Sequence, residues 1–313
     1  MPKSGPIALS RGGAVQWQHW RKEQQVQCVQ KMGFPKVLLR ALQNDVCFSV
    51  RDSHKYKMNN GHRGKALIFV HTDYEPALQL KRRRGSKTDV GRLQRCFSNL
   101  GFKVKTYNNL NINVLKHVLH ETSQEDHSNR DCLAVTVLTH GEEGRLYAQN
   151  GSYPQELLWS PFTADRCPTL VGKPKLFFIQ ACRGPFMDSG VQMPVEKSKV
   201  FREANDNVDL GDEPSLFEVE TDFLVAFATV YGYVSWKREG KISWFIEILC
   251  EELSEERSDH LLTILTDVQR RVADFSTTNP DDEELRDKKQ IPCVTHRLKK
   301  LLYFNDSNYN NSN

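Results

Sequence analysis

From about residue 64 onward, short apolar runs rich in β-branched and aromatic residues alternate with longer segments of helical period. No other feature of the chain constrains its fold as much. The runs lie at 66–70, 102–107, 133–139 and 175–179, and helices are predicted between them over 90–100 and 111–122. Strands separated by helices need crossover connections, which leave helices on both faces of a parallel sheet. The pattern therefore predicts an α/β fold, a three-layer αβα sandwich around a mostly parallel, doubly wound sheet. After a gap it resumes with a strand at 223–229, helices around 244–253 and 261–275, and a last strand near 292–302.

The gap, residues 185–221, carries Pro, Gly, Ser and the acids Glu203, Asp206, Asp209, Asp212, Glu213, Glu218 and Glu220 with little periodicity. Structureless connections longer than ~12–15 residues are uncommon in compact domains and are usually functional or disordered. Residues 1–60 hold two weak amphipathic patterns, at 17–30 and 35–45, broken at Gly33-Phe34-Pro35. They read as a short leading segment. The net charge of +4 is too mild to make the whole chain a nucleic-acid or membrane binder. The eight cysteines are irregularly spaced without paired metal-ligand intervals, and the amino terminus lacks an apolar signal core. A reduced, cytoplasmic setting is expected, with no cofactor, no metal and no stretch of the ~18 apolar residues that a membrane span needs.

Two predicted strand ends carry chemistry. Gln180-Ala181-Cys182-Arg183-Gly184 follows the run at 175–179, and His140 follows the run at 132–139. In an open α/β sheet, sites form at the carboxyl ends of strands, so both groups are expected at one rim. A free thiol, with a pKa near ~8.5, is mostly protonated at neutral pH and needs a neighbouring base to act as a nucleophile. Taken singly, a histidine after a strand is more often structural, and a free cysteine is commonly a small buried hydrophobe.

The pentapeptide around Cys182, with Thr139-His140-Gly141-Glu142-Glu143-Gly144, resembles the signature of the caspases, cysteine endopeptidases that cut after aspartate. The resemblance spans about residues 64–304 and includes Asp165-Arg166-Cys167, Gly172-Lys173-Pro174-Lys175, Ser243-Trp244-Phe245 and Lys289-Gln290-Ile291-Pro292-Cys293. It implies that Cys182 is the nucleophile and His140 the acid and base. It also implies that the backbone N–H groups of Cys182 and Gly141 bind the oxyanion and that a carbonyl near Lys81 orients the imidazole. A carboxylate pocket favours planar, bidentate donors. Aligning Arg83-Arg84-Gly85-Ser86, Asp89 and Leu93 with the family pattern makes Arg83 the pocket arginine, with Gln180 as a second contact. Val234, Ser235 and Trp236 would line the substrate groove, and Leu285 would border the distal subsites. Lys237 stands where the family has an arginine, and Arg238 is placed to compensate by a small shift.

By the same resemblance, residues 1–60 form a prodomain, 61–188 a large subunit, 189–221 a linker, 222–305 a small subunit and 306–313 a tail. Asp209 and Asp188 rank equally as processing sites. The implied partners are protein substrates with Asp at the cut site, a second copy in a homodimer, and inhibitor-of-apoptosis or adaptor proteins. The implied function is a zymogen matured by cleavage and acting in apoptosis or related regulated proteolysis. Lys237 motivates an alternative, a homologue with weakened catalysis that regulates an active caspase by dimerising with it.

Overall fold

The computed structural model describes residues 54–190, 221–237, 242–278 and 282–304. The two weak helical patterns near the amino terminus, Asp209, Arg238 and the tail lie outside the described residues. Six strands form one sheet: β1 (His62–Val70), β2 (Lys103–Asn108), β3 (Arg130–Leu138), β7 (Lys175–Gln180), β8 (Phe223–Phe227) and β9 (Cys293–His296), in the order β2-β1-β3-β7-β8-β9. All neighbours run parallel except β9, which pairs antiparallel with β8. The strand order reverses between β1 and β3, the place where doubly wound sheets open a crevice at their carboxyl ends.

Alternation along β1 shows why there are three layers. Ala66, Ile68 and Val70 enter one core with Leu93, Cys96 and Phe97 of helix α1 (Ser86–Asn99) and with the apolar faces of α3 (Trp244–Ser254) and α4 (Leu261–Ala273). Leu67 and Phe69 enter the other, with Leu115 and Leu119 of α2 (Ile112–Ser123). A sheet covered on both faces needs continuous apolar strands. Every residue of β7 and of β8 is accordingly buried.

Several boundaries depart from expectation for identifiable reasons. Helix α1, expected to start near residue 90, starts at Ser86, because Gly85 caps it with a left-handed backbone (φ 84°) and its first turn buries the polar Ser86 and Asp89. The last strand is only Cys293–His296. Beyond it, Leu301 pairs with residues 54–56, and Tyr56 is buried with its hydroxyl donating to Asp222 Oδ1 at 2.7 Å. The packed unit therefore takes in residues 54–60, which the leading-segment boundary had excluded. A second sheet was not anticipated: β4 (Gly141–Glu142), β5 (Arg145–Ala148) and β6 (Gly151–Pro154) form an antiparallel meander directly after His140. The Asn150-Gly151 dipeptide, which overlaps the two-residue loop Gln149-Asn150 between β5 and β6, was its available signal.

Candidate active site

In the β3–β7 ladder, Leu138 is level with Gln180, so His140 and Cys182 each lie two residues past the same rung. Thr139 N–H, donating to Gln180 O at 3.1 Å, carries the pairing one step beyond the strands. Next along, Gly141 lies so close to Cys182 that a Cβ there would sit 2.4 Å from the Cys182 carbonyl oxygen and 3.0 Å from the Ala181 Cβ. Only glycine fits. Tyr147 N–H donates to His140 O at 3.0 Å, and antiparallel alternation then makes Gly141, opposite Leu146, a position whose N–H turns away from β5.

The imidazole of His140 is held at its tip: Nε2 lies 2.7 Å from the carbonyl oxygen of Lys81, which accepts its proton. Burial holds the ring's pKa below the usual imidazole value. The Lys81 carbonyl opposes that shift, and the charges of Arg83 and Lys237 reinforce it. The face of the ring meets Tyr74, centroids 5.1 Å apart and tilted by 41°. Tyr74 appears in no motif, and sequence reasoning missed it.

The Cys182 thiol is half-buried beneath the loop that carries Val234 to Lys237. Ser235 N–H donates to Sγ at 3.4 Å, and Ser235 Oγ lies 3.8 Å from it. The two loops are stitched together by backbone bonds of 2.9 Å from Arg183 N to Tyr233 O, from Gly232 N to Arg183 O and from Val234 N to Phe186 O. A Cβ on Gly184 would fall 2.4 Å from Gly232 O, so this seam also demands glycine. Arg183 braces it from below, its buried guanidinium 4.0 Å from the Phe227 ring centroid and 5.3 Å from that of Tyr231.

Arg83 and Gln180 are both buried at this rim. Arg83 leaves β1's end through a backbone bond to Thr72 O, and its Nη1 reaches His71 O at 3.4 Å and Ser86 Oγ at 3.5 Å. These are long contacts for a group with five donors. Gln180 Nε2 donates to Ser235 Oγ at 3.0 Å, which leaves a second amide hydrogen. Lys237 Nζ donates to the Arg84 carbonyl at 2.5 Å, so the ammonium closes on the same loop as Arg83. Trp236 is anchored through its N–H to Gln290 Oε1 at 2.5 Å and through its indole to Lys289 O at 3.1 Å. Leu285 sits in a single 3-10 turn whose bonds run to Asp282 and Thr277.

A family profile described as the caspase domain matches residues 63–303. The chain belongs to the caspase family. It is 42% identical over 259 residues to caspase-1 of Spodoptera frugiperda, covering 81% of this chain and 82% of that one. Caspase drICE of Drosophila melanogaster is 39% identical over 84% of this chain and 76% of its own length. Caspase-7 of Gallus gallus is 39% identical over 82% and 81% respectively. The crystal structure of caspase-1 from Spodoptera frugiperda superposes with a TM-score of 0.71, covering 82% of this chain and 97% of that one. As a caspase, the chain is a cysteine-type endopeptidase that cleaves proteins after aspartate and acts in apoptosis. Among the described residues, no helix is long and apolar enough to cross a membrane.

Proposed function

We propose that this caspase cuts its substrates with Cys182 as nucleophile and His140 as proton carrier. The sulfur bonds to the scissile carbonyl carbon as its proton passes to His140. When the tetrahedral intermediate collapses, the C–N bond breaks and the amine leaves with that proton. His140 then takes a proton from water, which attacks the thioester, and the thiol is regenerated. The backbone N–H groups of Gly141 and Cys182 bind the oxyanion, each donor worth about 3–4 kcal/mol in such sites. The observation that carries the reading is the shared rung: two strand ends deliver thiol and imidazole to one rim, beside a buried arginine.

Arg83 and Gln180 bind the carboxylate of the substrate aspartate. Lys237 adds a point charge without the arginine fork, and Val234, Ser235 and Trp236 line the groove. Arg238 and Leu285 serve the distal subsites. The assembled rim favours an active enzyme over a dimerising regulator. The chain is made as a zymogen, with a prodomain that ends before the packed residues 54–60, a large subunit from there to 188, a linker over 189–221, a small subunit over 222–305 and a tail over 306–313. The exposed edge of β9 supports pairing of two copies, and the free thiols support a cytoplasmic setting.

The test uses paired peptides that differ only by Asp or Asn at the cut site. Wild type cleaves the Asp peptide, Cys182→Ala cleaves neither, and Arg83→Ala loses about 10⁴-fold in kcat/KM on Asp, the order set by unpaired buried polar groups. Near-full activity in Arg83→Ala would remove it from the pocket.

A further inference from the structure

The hydroxyl of Tyr74 sits where three chain segments meet. It accepts the backbone N–H of His140 at 3.1 Å, lies 3.0 Å from Thr139 Oγ1 and lies 3.0 Å from the His71 carbonyl oxygen. Thr139 Oγ1 in turn donates to Tyr147 O at 2.5 Å. Each hydroxyl has one hydrogen: that of Thr139 goes to Tyr147 O and that of the phenol to His71 O, and either can be shared across the Tyr74–Thr139 contact. A lone pair of the phenol receives His140 N–H. One oxygen thus ties the end of β1 to the residue that follows β3, and through Thr139 to β5. Burial raises the phenol's pKa, which keeps it neutral and able to do both.

The same side chain lays its ring against the His140 imidazole, whose far nitrogen is bonded to Lys81 O. The histidine is then fixed at three points: its main chain by the phenol oxygen, its ring face by the phenol ring and its ring tip by a carbonyl. Without the first two, a single hydrogen bond to a loop carbonyl would set the ring's direction.

Resting on the reading of His140 as the acid and base, we infer that Tyr74 is a positioning residue for it: the hydroxyl anchors the His140 backbone while the ring orients the imidazole toward Cys182. Tyr74 acts through His140, so its contribution lies in kcat and not in binding. Displacements of about 1 Å at catalytic groups cost on the order of 10²-fold. Loss of one anchor with the ring retained is therefore expected to cost about tenfold.

The experiment measures kcat, KM and the pH profile of kcat for wild type, Tyr74→Phe, His140→Asn and Tyr153→Phe. Tyr153 is a buried phenol whose hydroxyl has no partner among the described residues, so it controls for loss of a buried hydroxyl that anchors nothing. Tyr74→Phe should lower kcat about tenfold at unchanged KM and move the acidic limb upward, because a loosened imidazole regains water. Tyr153→Phe should leave all three as in wild type. A Tyr74→Phe enzyme with wild-type kcat and pH profile, whether or not its thermal midpoint falls, would overturn the inference. Activity surviving in His140→Asn would overturn the underlying reading instead. Should Tyr74→Phe fail to fold, Thr139→Val strips the network's other hydroxyl. A fall in kcat at fixed KM then supports the anchor, and an unchanged kcat sinks it.

Discussion

His71, at the end of β1, is wholly buried, and neither ring nitrogen has a partner among the described residues. Its backbone carbonyl accepts from both Arg83 and Tyr74, so the residue supports Arg83 and the tyrosine behind His140 at once. Burial, reinforced by the Arg83 charge, lowers its pKa from 6.5 to about 4. Above pH 6.5 neither the folded nor the unfolded chain protonates this ring. As the pH falls below 6.5, the unfolded chain gains a proton that the folded chain refuses, and stability is lost progressively down to about pH 4. The loss there is about 3 kcal/mol, at 1.36 kcal/mol per unit of separation. Urea midpoints at pH 7 and pH 4.5 should therefore fall further in wild type than in His71→Leu, and equal falls would contradict this account. That Cys182 and His140 share one rim was legible in the sequence because both directly follow strand-like apolar runs. Tyr74 was not: its role is defined by His71, Thr139 and His140, and its contacts with the last two span more than sixty positions of chain.

At the scale of elements, α1 is tied to the start of α3. Asp89, buried in the first turn of α1, accepts Ser243 N–H at Oδ1 and Ser243 Oγ–H at Oδ2, both at 2.8 Å. Ser243 precedes α3 and spends its hydroxyl on Asp89 in place of capping its own helix. The carboxylate thus sits at the positive end of the α3 dipole, although burial raises its pKa. Asp89→Ala would leave two buried donors unpaired, and a loss of about 2–4 kcal/mol is expected by urea denaturation. A loss below about 1 kcal/mol would mean that water replaces the carboxylate. This tie explains why the start of α1 was hard to read: a turn that buries Ser86 and Asp89 breaks the apolar period on which helix boundaries are judged. The four central strands of the main sheet, β1, β3, β7 and β8, were legible because their apolar runs are buried. The small sheet after His140 was not, since its strands are short and half-exposed.

At the scale of the molecule, Asp188, one of the two aspartates that rank equally in sequence, is held by its neighbours. Asp188 accepts Lys289 N–H through its carbonyl at 2.8 Å and Gly190 N–H through Oδ1 at 2.8 Å. A protease needs the aspartate side chain free and the flanking backbone available, and both are engaged here. When Cys182→Ala protein is treated with a trace of wild-type enzyme, intact-mass time courses should show the Asp188 cut only after another linker cut. An Asp188 cut appearing first would refute the protection. Whichever bond yields, β7 and β8 remain neighbours in a parallel ladder from Lys175–Phe223 to Ile179–Phe227. Residues 55 and 301 are likewise bridged. The fold consequently does not depend on which segment is synthesised first: a circularly permuted chain that begins at 221, joins 304 to 54 through a short turn and ends at 190 preserves every ladder of the sheet. Chain order in this protein is a matter of timing rather than architecture, deciding which half is made first and not where it sits.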